Sequence, residues 1–272
     1  MAGGKVLRVG LAGFGAVGRE TARRLDAGIP GLELAAISVR DVDKARGHFP
    51  KLGREIPVVV LEDLPHHCDV VVEGLPRPAF LAVARATIEA GKIFMPLSVG
   101  QLLENWDLVT RAAETGARII APTGALIGLD AVRAAAEGEI HSVTMVTRKP
   151  PGGLEGAPYL IEHGILMRDV TAPTKVFDGS AREGARGFPA NVNVAAALSL
   201  AGIGPDRTRL QIWADPTVTR NVHRIEVEAD SVRLSLQIEN VPSLENPKTG
   251  RLTPLSVAAL LRKLTSPLAI GT

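Results

Sequence analysis

The string Gly13-Phe14-Gly15-Ala16-Val17-Gly18 limits what this chain can fold into more than any other feature. It follows a Val- and Leu-rich run, Lys5 to Ala12, that reads as a buried strand. It opens a helical stretch to about Asp26, with Val17, Ala22 and Leu25 on one side. In that context each glycine has its own use. Gly13 permits the tight turn, Gly15 lets backbone approach a pyrophosphate, and Gly18 lets the helix pack close to the strand. The helix N-terminus then faces the anion. Glycine spacing alone is weak evidence, but a strand before it and a helix after it define a dinucleotide site.

Beyond Asp26 the same alternation continues. Leu32 to Val39 is a second strand, Val58 to Leu61 and Val70 to Glu73 are short apolar runs, and Ala79 to Ala90 is a helix closed by Gly91. Ile93 to Leu97 reads as strand, Leu102 to Thr115 as helix and Arg118 to Ala121 as strand. Such alternation implies an α/β fold, a doubly wound parallel sheet of the Rossmann type. The pattern changes after Pro122: a helix over Leu129 to Ala136, a strand from His141 to Thr147, a loop at Pro150-Pro151-Gly152-Gly153 and an apolar helix from Asn193 to Ala201. Strands are expected at Arg209 to Ala214, Val222 to Ala229 and Ser231 to Ile238, then a turn at Asn246 to Gly250 and a closing helix at Leu255 to Leu264. The expected organisation is a dinucleotide-binding domain over residues 1–121 and a second α/β domain, with a mixed or antiparallel sheet, over 122–251. Residues 252–272 are expected to return to the first domain.

Composition excludes several classes of function. Hydrophobic residues at 46% and charged residues at 22% describe a globular chain. With 31 basic against 29 acidic residues and no basic run, the charge suits small anionic ligands better than nucleic acid. Aromatics at 3% are too few for a base-stacking platform. A single cysteine, Cys68, forbids an intrachain disulfide and fits a reducing cytoplasm. No apolar stretch approaches the roughly 20 residues of a membrane span. His66-His67-Cys68 resembles metal ligands, but adjacent side chains diverge and no second pair stands at ligand spacing, so no metal is expected.

The choice between NAD and NADP rests on the end of the second strand, Ser38-Val39-Arg40-Asp41. Arg40 could pair a 2′-phosphate with Ser38 as a second donor, while Asp41 could hold a ribose hydroxyl or cap the next helix. The residues therefore leave both cofactors open, with NADP at least tolerated. Ser98 follows a strand on the cofactor side, where it could contact the ligand or cap a helix. Gly124-Ala125 stands where the first domain hands over to the second, and Asn193 could either cap its helix or contact the nicotinamide. On a strand from Val222, His223 shares the apolar face with Ile225, Val227 and Ala229, whereas Arg224, Glu226 and Glu228 face solvent. A histidine at that strand start, just after a polar loop, could be core or could move a proton.

Several ordered segments resemble the L-aspartate dehydrogenase family over nearly the whole chain. They are Pro122-Thr123-Gly124-Ala125-Leu126-Ile127-Gly128-Leu129-Asp130, Lys149-Pro150-Pro151 and Phe188-Pro189-Ala190-Asn191-Val192-Asn193-Val194-Ala195. Ala214-Asp215-Pro216 with Asn221-Val222-His223, Glu239-Asn240-Val241-Pro242-Ser243, and Glu245-Asn246-Pro247-Lys248-Thr249 complete the set. The resemblance implies an NAD(P)-dependent homodimeric enzyme that oxidises aspartate, a dicarboxylic amino acid, to iminoaspartate, which hydrolyses to oxaloacetate and ammonia. It implies that His223 is the active-site residue, that Ala125 and Asn193 contact the cofactor, and that the product can feed NAD biosynthesis. Thr219-Arg220 and the loop from Gly152 to Val170 depart from the family pattern, which keeps open a different small amino acid or acid as substrate. A glucose-fructose-type oxidoreductase would carry Glu-Lys-Pro where this chain has Ile93-Phe94-Met95-Pro96. A non-catalytic dinucleotide sensor would have no use for a proton shuttle at His223.

Overall fold

The computed structural model describes residues 6–53, 55–190, 192–243 and 250–271. They divide into two compact units, residues 1–122 with 253–270 and residues 123–252 with 271–272. The first unit runs β1 (Leu7–Ala12), α1 (Ala16–Asp26), β2 (Leu32–Ser38), α2 (Val42–Arg46), α3 (Leu64–His67), β3 (Val70–Glu73), α4 (Arg77–Glu89), β4 (Ile93–Pro96), α5 (Asp107–Thr115) and β5 (Arg118–Ile119). All five strands are parallel, in the order β2-β1-β3-β4-β5. Each is a short apolar run because a parallel sheet covered by helices has no solvated face. The strand order reverses between β1 and β3, and that reversal is where doubly wound sheets receive ligands, outside the carboxyl ends of the strands.

The second unit contains α6 (Leu129–Ala135), β6 (Ile140–Lys149), α7 (Pro158–Glu162), β7 (Thr174–Ser180), α8 (Ala181–Gly187), α9 (Asn193–Ala201), β8 (Thr208–Ala214), β9 (Asn221–Ala229) and β10 (Arg233–Asn240). Its sheet is mixed, in the order β10-β9-β6-β8-β7. Only β6 and β8 pair in parallel; the other neighbours are antiparallel. Strand β6 is central, and on it Val143, Met145, Thr147 and Lys149 are buried while the intervening Thr144, Val146 and Arg148 are not. Leu210, Ile212, Ile225 and Val227 continue this buried face on β8 and β9. Beyond the second unit, α10 (Leu252–Thr265) places Val257 and Leu261 in the same core cluster as Val9, Leu11, Leu34 and Val72 of the first unit.

Several sequence expectations change. The run Val58 to Leu61 supplies one bridge, Val58 to Ile37, and no strand, because the chain there only touches the outer edge of β2. The helix expected over Leu102 to Thr115 is split: a 3-10 turn covers Val99–Leu103 and α5 starts at Asp107. Asn105 marks the break, its side-chain amide donating to the Gln101 carbonyl at 2.8 Å. Strands β8 and β9, adjacent in sequence, do not pair; β6 lies between them. Strand β10 begins two residues late because Ala229 to Val232 forms the hairpin turn, closed by Ala229 N–H donating to the Val232 carbonyl at 3.0 Å. Of the turn expected over Asn246 to Gly250, residues 246–249 lie outside the described residues, and Gly250 bridges Pro242.

Leu261 is fully buried, whereas Leu255 on the same helix is exposed. Leu261→Ala should lower the unfolding free energy by about 2–5 kcal/mol. Leu255→Ala should change it by about 0.5 kcal/mol or less, both read from urea denaturation midpoints.

Candidate active site

The glycine turn leaves β1 at the point of strand-order reversal. Gly13 has φ +100, and its N–H donates to the Ser38 carbonyl at 2.8 Å, which ties the turn to the end of β2. A methyl group at Gly18 would collide with the Gly13 carbonyl oxygen, so α1 approaches β1 this closely only because residue 18 has no side chain. A methyl at Gly15 would meet no heavy atom within 4 Å. That space lies at the N-terminus of α1, where Gly15 is the N-cap and no side chain caps the helix. The first-turn N–H groups of Ala16, Val17 and Gly18 thus lack a side-chain acceptor and carry the positive end of the helix dipole. An open cradle with uncapped donors fits a pyrophosphate. Phe14 packs edge-on to Phe49 at 6.1 Å and its carbonyl accepts from Arg19 at 3.1 Å, so this residue anchors the turn.

Around that turn, the structure sorts the other candidates. Asp41 caps α2, its carboxylate accepting from the Lys44 N–H at 3.0 Å, while Arg40 is exposed just past β2. Ser98 does not cap the helical turn after it. Its hydroxyl and N–H donate to the two carboxylate oxygens of Glu73 at 3.0 and 3.1 Å, so toward a ligand the Ser98 hydroxyl keeps only acceptor capacity. Glu73 is fully buried at the end of β3 and also accepts from Leu75 N–H at 2.8 Å. Burial pushes its carboxyl above the usual carboxylate range against those hydrogen bonds. Glu73 is not among the sequence candidates, although a carboxylate ending the apolar run Val70-Val71-Val72 at the ligand edge of a parallel sheet is a usable signal. Cys68 is buried with its thiol on the Leu64 carbonyl at 3.1 Å, and burial pushes it up to about 12; His66 and His67 beside it are exposed.

In the second unit Ala125 presents its carbonyl to the Asn240 amide at 3.4 Å. Asn193 is not a helix cap. Val192 holds the cap position and Asn193 is the first residue of α9, so the helix-capping reading of this asparagine is corrected. Asn191 lies outside the described residues.

His223 stands where strand parity puts it, on the buried face of β9 and 3% exposed. Its Nδ1 lies 3.1 Å from the Thr147 hydroxyl, the residue paired with it across β6. Two residues further along β6, on the same face, is Lys149, 7% exposed. Burial brings the Lys149 amine down to about 8. Burial first, and the Lys149 charge second, bring the His223 imidazole down to about 3, so the ring is neutral at physiological pH. Asp215, past the end of β8, is also buried, but its carboxylate accepts from Thr217 at 2.6 Å and from Arg148 at 3.1 Å. Those bonds hold it below the usual carboxylate range, the Thr217 hydroxyl contributing most. Its N–H donates to the Lys149 carbonyl at 2.8 Å, fixing the backbone that carries the lysine. In the sequence Lys149 stands out only as part of the Lys149-Pro150-Pro151 segment. Continuing the alternation of β6 past Thr147 would have placed it beside His223.

Residues 130–264 match the family model described as aspartate dehydrogenase, C-terminal, and residues 13–122 match the NAD-binding domain model of homoserine dehydrogenase. The chain is 56% identical to an L-aspartate dehydrogenase of Bradyrhizobium diazoefficiens, over 98% of this chain and 94% of that protein. The chain belongs to the L-aspartate dehydrogenase family. A second relative, an L-aspartate dehydrogenase of Bordetella bronchiseptica, is 51% identical over 98% of both chains. The crystal structure of an aspartate dehydrogenase from Thermotoga maritima shares the fold, with a TM-score of 0.74, 23% identity, and coverage of 97% of this chain and 99% of that one. The first unit is therefore an NAD(P)-binding Rossmann domain of an L-aspartate dehydrogenase family member. Among the described residues no helix is long and apolar enough to cross a membrane.

Two outcomes test this geometry. Gly15→Ala should fold with a native melting temperature and lose reduced-cofactor binding, while Gly18→Ala should lower the melting temperature itself; fluorescence titration and thermal unfolding separate them. The second concerns His223. A base whose folded pKa is depressed makes the unfolded state bind more protons between the two pKa values, so stability falls as pH drops from about 6.5 toward about 3. This residue should contribute a slope of about 1.4 kcal/mol per pH unit in that window. Urea midpoints of the native protein and His223→Gln, compared from about pH 6.5 to about pH 4.5, should differ by that slope.

Proposed function

We propose that this chain oxidises L-aspartate with NAD or NADP to iminoaspartate, which water converts to oxaloacetate and ammonia. The observation that carries the reading is the buried His223, neutral and held through Nδ1 by Thr147. The family relatives named L-aspartate dehydrogenase support the substrate. When bound, the nicotinamide supplies the acceptor for the hydride that leaves the substrate Cα. Gly13, Gly15 and Gly18, with the N–H groups of Ala16 and Val17 and the turn anchored by Phe14, would hold the cofactor's pyrophosphate. Arg40 would pair the 2′-phosphate of NADP, Ser98 would be a further contact in the same unit, and the family resemblance assigns Ala125 and Asn193 to the cofactor as well. Oxidation of the Cα–NH₂ group releases one proton besides the hydride, and His223 takes it at Nε2. For Nε2 to have a free lone pair, Nδ1 must carry the ring proton and donate to the Thr147 hydroxyl, which can accept it. The second unit supplies the substrate side of the reaction, and the homodimeric, cytoplasmic state implied by the family belongs to the same reading.

Purified protein should form NADH or NADPH with L-aspartate and not with other small amino acids, followed by reduced-nicotinamide absorbance. His223→Asn should lower kcat about 10²–10⁴-fold while folding normally. Arg40→Ala should weaken NADP more than NAD. No aspartate-dependent reduction, or full turnover by His223→Asn, would remove the reading.

A further inference from the structure

The first unit buries a carboxylate that the proposed chemistry leaves unused. Glu73 ends β3 and is fully buried. Three donors converge on it: the Leu75 N–H at 2.8 Å and the Ser98 hydroxyl at 3.0 Å on Oε1, and the Ser98 N–H at 3.1 Å on Oε2. Its backbone carbonyl accepts from the Leu97 N–H at 3.0 Å, so main chain and side chain grip the same exit of β4. Only an ionised carboxylate accepts from all three side-chain donors. An amide would turn an NH₂ toward one of them, and a protonated acid would turn an O–H. Holding that charge is unfavourable, because burial pushes the carboxyl above the usual carboxylate range. A neutral side chain would join two loops without that penalty.

The consequence falls on Ser98, half-buried just past β4. Its hydroxyl proton goes to Glu73, so the lone pairs that remain only accept. The strand order β2-β1-β3-β4 puts Ser98 and Arg40 on opposite sides of the glycine turn that leaves β1. A dinucleotide whose pyrophosphate lies on that turn and whose adenosine ribose reaches Arg40 carries its nicotinamide riboside toward β4. That half of the cofactor offers donors, its ribose hydroxyls and its carboxamide NH₂. We infer that Glu73 is a positioning residue of the cofactor site, fixing Ser98 as a hydrogen-bond acceptor for a hydroxyl or amide donor of the nicotinamide riboside. The inference rests on the readings of Arg40 and Ser98 as cofactor contacts. A strut that only joined two loops would leave the cofactor affinity of the folded protein untouched.

NADH and ADP are the probes, the first titrated by its fluorescence and the second by competition with it. ADP carries the adenosine and the pyrophosphate without the nicotinamide riboside. Glu73→Gln should weaken NADH about tenfold and leave ADP within about twofold of native. Ser98→Ala should do the same. In the Ser98→Ala background, Glu73→Gln should weaken NADH by no more than about twofold further, since the carboxylate acts through the hydroxyl. If Glu73→Gln does not fold, Glu73→Asp replaces it, keeping the charge but ending one methylene short of Ser98. If neither folds, Ser98→Ala decides, a loss for NADH alone supporting the assignment. Native NADH affinity in a folded Glu73 variant, equal weakening of NADH and ADP, or additive losses in the double variant overturn the inference while the Ser98 contact stands. Native NADH affinity in Ser98→Ala removes that contact and the inference with it.

Discussion

Burying two bases on one face of a sheet is the constraint around which the second unit is organised. Lys149 and His223 are 7% and 3% exposed, and neither has water enough around it to carry charge at no cost. The arrangement holds because each comes from a strand bonded on both edges: β6 between β9 and β8, and β9 between β10 and β6. On a loop, either side chain could swing to solvent and relieve the penalty. Here the ladder fixes the backbone, Val143, Met145, Ile225 and Val227 pack the same face, and Asp215 pins the Lys149 carbonyl. Asp215, buried at the same end, is engaged through its carboxylate by Thr217 and Arg148.

The first unit solves a different problem, bringing backbone donors to an anion. Gly18 removes the side chain that would separate α1 from β1, and Gly15 leaves space at the uncapped helix end. What keeps that edge in place is the set of bonds between strand ends: Gly13 to Ser38, Gly74 to Ala12 and Leu97 to Glu73. The Glu73 carboxylate then collects the N–H groups of Leu75 and Ser98 and the Ser98 hydroxyl. A buried carboxylate with that many donors is a strut between the β3 and β4 loops, and it explains why Ser98 is turned toward the protein.

Local pattern carried much of this into the sequence. The glycine turn is legible because its spacing and both flanking elements are contiguous. His223 is legible because alternation on Val222 to Ala229 is regular enough to assign a face. Lys149 escaped because the expected strand stopped at Thr147, two residues before β6 ends, where polar Arg148 and Lys149 weaken the apolar signal. Strand β7 escaped for a related reason: Lys175 is exposed, Val176 and Phe177 are buried in succession, and a bulge between Lys175 and Phe177 breaks the period. The parallel pairing of β6 with β8 was beyond local pattern altogether, since it joins segments separated by three helices and β7.

The electrostatics of the pair also bears on how proton transfer is switched on. An imidazole held near 3 is a poor base at neutral pH, because the proton it takes must be carried uphill. What holds it there is burial and the neighbouring ammonium, and both act against the imidazolium. Raising the pH past about 8, where the buried amine of Lys149 loses its proton, removes the second effect and leaves burial alone to hold the ring neutral.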